Sequence, residues 1–236
     1  EVILTVAEEA GLLGARQLSA RELGADCAFV VDGPGPPGAI VIQGAAGREF
    51  RAAISARGDR DGRSVGPEPR WVANRALARL PVGETADGAY LKVWTEDNGA
   101  EIILTGAVNA RSEEEVKRRL ELVRAILRES AARYGLDHTF QTGRGYPGYC
   151  QPVSAPVVQL AVSAAQHVLA KPLLLQHRWA SDANILNGLG IPAVCLGGAW
   201  HEEPDGTPWC RVDELSRGVE FLLALVALAA TRPVRR

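Results

Sequence analysis

Apolar and polar positions along the chain alternate between a strand-like and a helix-like period. Residues 2–6 are an apolar, β-branched run (Val2, Ile3, Leu4, Val6), which predicts a buried parallel strand. The run closes on two adjacent carboxylates, Glu8 and Glu9, and a glycine-punctuated turn. Leu12, Leu13, Ala15 and Leu18 then follow at amphipathic spacing. A second apolar strand over residues 28–31 ends in Asp32-Gly33. Parallel strands share a direction, so two that both end in carboxylates place them on one sheet edge, where open α/β folds bind ligands. Each acid also has a plainer reading. Glu8 and Glu9 suit a solvated helix start, where acids complement the macrodipole, and Asp before Gly is common in turns.

The breaker cluster at residues 33–38 (Gly-Pro-Gly-Pro-Pro-Gly) marks a boundary. Beyond it the pattern predicts a hairpin of strands 39–43 and 49–55, a mobile Arg/Asp/Gly-rich loop over 56–69, and a helix over 71–80 stopped by Pro81-Val82-Gly83. Strands 89–95 and 101–109 flank the turn Glu96-Asp97-Asn98-Gly99. A long helix over 112–134 begins at the N-cap Ser112, carries Glu113, Glu114 and Glu115 in its first turn, and shows one stripe of Val116, Leu120, Val123 and Leu127. Strands and helices without parallel alternation describe an inserted α+β domain. A second Pro/Gly-rich crossing at 146–156 leads to a helix over 155–170, a short strand at 173–175, the segment Ser181-Asp182-Ala183-Asn184, a strand ending near Leu196, and a closing helix over 214–230 before a loose basic tail at 232–236. The expected class is therefore α/β with an inserted α+β unit. Its parts are residues 1–44, 45–148 and 149–236.

Composition adds exclusions. A length of 236 residues allows one large or two small domains, and a formal charge of −2 suggests neither a nucleic-acid partner nor an anionic membrane. No run of eighteen apolar residues suggests a membrane span, and the opening run lacks the basic flank of a signal peptide. Four scattered cysteines (27, 150, 195, 210) fit a reduced, cytoplasmic setting. The chain has no Met, even at position 1, and opens on what reads as a core strand, so upstream polypeptide is expected to be missing.

The stretch Thr5-Val6-Ala7-Glu8-Glu9-Ala10-Gly11-Leu12-Leu13-Gly14-Ala15 resembles the glutamate-pair motif of the aminoacylase-type dinuclear zinc hydrolases, particularly the peptidase T-like di- and tripeptidases. Ser181-Asp182-Ala183-Asn184, followed by Gly190-Ile191-Pro192 and Leu196-Gly197, is similar to that family's S-D-A-N…G-I-P…L-G pattern. Alone, S-D-A-N also suits an N-cap. The resemblance implies a partial zinc-peptidase catalytic domain carrying a two-layer lid that pairs with a second subunit. It implies Glu8 as general base and Glu9, Asp32 and His201 as metal ligands. Arg111 (in a segment like the one ending the lid's last strand), Ser181, Asp182 and Asn184 would be substrate-binding. Two zinc ions, or cobalt or manganese, would act on a short peptide or an N-acyl amino acid.

Departures from the pattern matter. The family's lid histidine is absent from Ala56-Arg57-Gly58-Asp59, where Arg57 is a substitute cation or simply an exposed loop residue. The glycines before S-D-A-N are replaced by Arg178, Trp179 and Ala180, so Trp179 reshapes the pocket. His201 lacks the expected following Ser or Thr, and an alternative alignment puts the ligand slot nearer Pro204. The family's first histidine ligand and its bridging aspartate precede the glutamate pair, whereas the first histidine here is His138. The chain alone is therefore not expected to assemble a complete dinuclear site. Alternatives are a catalytically inactive relative serving as a binding or assembly protein, and a nucleotide-binding α/β domain, against which no G-x-G-x-x-G follows a strand in the right place.

Overall fold

In the computed structural model, which describes residues 1–58, 64–99, 101–168, 171–203 and 205–231, the strand Ala28–Gly33 runs parallel to Ala193–Gly197, with Val30 opposite Cys195. Readings on Asp59, residues 169–170, Pro204 and residues 232–236 lie outside the described residues. Ala193–Gly197 pairs antiparallel with Ala39–Gly44, which also pairs parallel with Leu173–His177 and antiparallel with Tyr149–Cys150. The sheet is thus mixed, with two parallel and two antiparallel pairings. Alternation along its strands feeds two cores. Ile40, Val194 and Leu196 pack against the helices Pro156–His167 and Val212–Thr231 through Val157, Ala161, Phe221 and Leu225. Their neighbours Val41, Ala193 and Cys195 pack against the short helix Asp182–Gly188 through Ala183 and Leu186.

These elements make up one of two compact units, Glu1–Ala45 with Pro147–Arg236; the other is Ala46–Tyr146. In the second unit five antiparallel strands lie in the order Gly83–Glu84, Tyr90–Asp97, Glu101–Ala110, Ala46–Ser55, Asp137–Tyr146. The helices Pro69–Leu77 and Glu113–Arg133 pack on this sheet, burying Val72, Val116, Leu120, Val123 and Leu127 against Phe50, Ile54, Leu104 and Val108. Ser112 caps the long helix as its side chain accepts from the Glu115 N–H at 3.2 Å.

Three expectations need correction. Residues 2–6 form no strand, and Val2, Leu4 and Val6 are 90%, 91% and 72% exposed. A strand needs a ladder partner for its N–H and C=O groups, and no described strand pairs with this run. The expected hairpin of strands 39–43 and 49–55 does not exist. Its two strands run almost continuously, with only Ala45 between Ala39–Gly44 and Ala46–Ser55, too short a link for a hairpin loop, so they enter different sheets. The region expected to be a loop contains a ribbon of Arg57–Gly58 with Ser64–Val65, and the exposed Arg57 pairs with Asp137 at 2.7 Å.

Candidate active site

Glu8 and Glu9 sit in a tight turn rather than at a helix start. Ala7 and Leu12 adopt left-handed backbone (φ 55° and 61°), which is uncommon for residues with a Cβ. The turn is closed by the Gly11 and Leu12 N–H groups donating to the Glu8 carbonyl at 2.9 and 2.7 Å, and by Gly14 N–H donating to the Val6 carbonyl at 2.9 Å. Gly14 is required there, because a Cβ would lie 2.5 Å from the Val6 nitrogen. Leu12 and Ala15 are buried and anchor the turn. Thr5 adds a hydroxyl donated to Asp182 Oδ2 at 2.5 Å.

The turn and the carboxyl ends of two strands enclose a cleft of about 320 Å³. Glu8, Glu9, Asp32, His177, Trp179 and Ser181 are among its lining residues. The acids feel one another strongly. Burial, then Asp32, Glu9 and Asp182, push the Glu8 carboxyl up to about 7. Asp32 is raised by burial and by Asp182 and Glu9. No Lys or Arg is among the lining residues, and burial together with Arg178 holds His177 below its ordinary range. The cleft therefore concentrates uncompensated negative charge. Asp182 is 8% exposed, and its Oδ1 is buried with no hydrogen-bond partner, a costly condition for a carboxylate oxygen unless something positive approaches it.

Oxygen donors with one imidazole suit a divalent cation. Yet among the described residues no group of three or more His, Cys, Asp or Glu side chains is arranged to hold one. The described side chains therefore do not make a metal cage by themselves.

The structure brings Glu8, Glu9, Asp32 and Ser181 to one cleft, with Asp182 beside them, while two further candidates of the same unit, His201 and Asn184, do not line it. His201 does not line the cleft; its Nε2 is 2.5 Å from Glu214 Oε2 and its ring stacks on Trp209 at 4.5 Å. The cause is strand parity. In the hairpin of Trp200–Glu202 with Pro208–Cys210, Trp200 lines the cleft and the next residue points away. Asn184 is fully buried with its amide engaged by backbone, so it offers nothing to a substrate. Arg111 lies exposed in the second unit, between the strand Glu101–Ala110 and the helix Glu113–Arg133. Sequence reasoning passed over His177, the last residue of Leu173–His177. The signal that singled out Asp32, a shared sheet edge for parallel strands, does not extend to His177, because Leu173–His177 runs opposite to Ala28–Gly33.

Residues 1–228 match peptidase family M20/M25/M40. The chain belongs to that family. This M20 chain is 25% identical, over 98% of its own length, to the uncharacterized protein YqjE of Bacillus subtilis, and spans 64% of that relative. Its fold matches the aminopeptidase PepT of Bacillus cereus (TM-score 0.81, 22% identity, 96% of this chain and 63% of that one). It also matches a tripeptidase of Staphylococcus aureus (TM-score 0.84, 20% identity, 97% and 63%). The peptidase T-like resemblance is thus upheld at the level of family and fold. The M20 chain covers just under two thirds of each of these proteins.

The acid cluster gives a pH expectation for the chelator-treated M20 chain. Glu8 has an ordinary value of 4.5 and a folded value of about 7, so the folded state binds its proton more tightly than the unfolded state. That contribution is complete below pH 4.5 and lost as pH rises through 7. Asp32 acts in the same direction. Calorimetry is expected to show a lower Tm at pH 8 than at pH 5.5, and Glu8→Gln to narrow the gap. An unchanged gap in the variant would remove Glu8 as its source.

Proposed function

We propose that this chain is the larger part of a metal-dependent hydrolase of peptide or related amide bonds, with Glu8 as the proton acceptor for water. The observation that carries the reading is the convergence of Glu8, Glu9 and Asp32 on one cleft of about 320 Å³. A general base works best with a pKa near the working pH, and burial, the first cause of the upward shift at Glu8, acts in that direction whether or not its acidic neighbours hold a cation. Glu9 and Asp32 contribute oxygen ligands, and polypeptide outside these 236 residues contributes the remainder, including the first histidine and the bridging aspartate. Support comes from the family match and from the 64% span of YqjE. Zinc is the expected metal, with cobalt or manganese as alternatives. Short peptides or N-acyl amino acids are the expected substrates. All four cysteines are free, which supports a reducing, cytoplasmic setting. In the same proposal the second unit serves as the lid and the surface for a homodimer, which light scattering of the protein would test.

Titration calorimetry tests the core of this reading. The 236-residue chain should bind zinc or manganese weakly, and Asp32→Asn should abolish what binding there is. The longer polypeptide should retain about two metal equivalents after dialysis and release free amines from tripeptides. A longer polypeptide that holds no metal and cleaves no tripeptide or N-acyl amino acid would end the hydrolase reading.

A second reading, an inactive relative that serves as a binding or assembly protein, is favoured by specific observations. Trp179 lines the cleft where the family pattern has glycine, and His201 is paired with Glu214 away from it. Metal-free, inactive but folded long polypeptide would be its signature.

A further inference from the structure

The two peptide segments that join the units share one side chain. The chain leaves the first unit at Ala45 and re-enters it at Pro147. The Asn184 side-chain NH₂ donates one hydrogen bond to the Ala45 carbonyl at 2.9 Å and one to the Pro147 carbonyl at 2.8 Å. Its Oδ1 accepts from the Ser181 N–H at 3.0 Å, completing the capping box that fixes the helix Asp182–Gly188. An amide has two N–H donors, and here both are spent on these crossings. We propose that Asn184 is a positioning residue that clamps the two crossings at a set separation within the first unit.

The surroundings are built for this task. Ala45 N–H donates to the His177 carbonyl at 3.0 Å, tying the outgoing crossing to the strand that ends in the cleft. Gly44 leaves space beside Asn184, since a Cβ there would lie 2.5 Å from Tyr149 Cε1 and 3.1 Å from Asn184 Oδ1. Tyr149, just after the incoming crossing, donates its hydroxyl to the Val41 carbonyl at 3.1 Å. Gly188, at the far end of the same helix, leaves room for Pro147, whose Cγ would be 2.9 Å from a Cβ. One short helix therefore touches the incoming crossing at both ends. Asn187 supplies an internal comparison. It lies on the same helix and donates to the Ala183 and Ala193 carbonyls at 2.8 and 2.9 Å, without reaching either crossing.

The inference does not depend on the hydrolase reading, and its test needs neither metal nor substrate. Asn184→Asp keeps the shape and the Oδ1 acceptor but removes both donors. Hydrogen–deuterium exchange should accelerate at least about tenfold in peptides covering 43–48 and 145–150, with the rest of the first unit unchanged. Asn187→Asp should loosen the helix and Ala193 without selective acceleration at the crossings. Equal exchange at the crossings in parent and variant, or the same crossing effect from Asn187→Asp, would each overturn the proposal. Should Asn184→Asp fail to fold, Asn184→Ser decides by the same exchange readout: selective acceleration at the crossings supports the clamp, and parent-like crossings overturn it.

Discussion

Under the proposed function, Glu8→Gln is expected to lower kcat for short peptides by about 10²–10⁴-fold in the longer polypeptide, with KM little changed. Gln has the size of Glu but cannot accept a proton, so the variant removes the base while keeping the turn that presents it. The turn depends on backbone, on the bonds from Gly11, Leu12 and Gly14 and on the buried Leu12, and not on the Glu8 carboxyl. The variant should melt no lower than the parent, because the substitution also removes one repelling charge from a group that includes Glu9, Asp32 and Asp182. Activity lost together with stability would point to a collapsed turn. Activity retained within threefold, measured by amine release across pH 5.5–8.5, would assign the base elsewhere.

How the site was legible follows from what each residue depends on. Glu8, Glu9 and Asp32 stood out because carboxylates after apolar runs mark a functional sheet edge. Asp32 does close the strand Ala28–Gly33, but the run before Glu8 is not a strand at all. The pair reaches the cleft through a left-handed turn at Ala7 and Leu12, which no periodicity announces. His201 is one position of strand parity away from Trp200, which lines the cleft, and that register is fixed only once the hairpin with Trp209 forms. Asn184 belongs to a short polar motif whose side chains diverge, Ser181 to the cleft and Asn184 to backbone 139 and 37 residues distant in sequence.

Among the elements, the helix Glu113–Arg133 and the strands Tyr90–Asp97 and Glu101–Ala110 followed their apolar spacing because each buries a face within its own unit. The strand Asp137–Tyr146 gave no such signal. It is an edge strand rich in Thr, Gln, Gly and charged residues, held by its ladder to Ala46–Ser55, and Phe140 is its main apolar contribution to the core. Burial and ladder partners, rather than propensity, decided these cases.

The same rule turns the exposed apolar residues into a prediction about the closing helix. Val212–Thr231 buries Phe221 and Leu225 on one side. At 100° per residue, Val212, Val219, Leu223 and Val226 fall on the opposite side, where they are 79%, 54%, 65% and 68% exposed. With Val2, Leu4 and Val6 also bare, the first unit shows more apolar surface than scattered exposure explains. Under the proposed function, polypeptide outside these 236 residues covers that helix face. Val219→Glu with Leu223→Glu should then cost about 3–6 kcal/mol in the longer polypeptide, the worth of burying two such side chains, measured by urea unfolding. In the 236-residue chain the same pair should leave the unfolding midpoint nearly unchanged and raise solubility, because both positions already face water. Equal, small effects in both proteins would mean that the stripe stays bare in each, and the added polypeptide would have to be placed elsewhere on the fold.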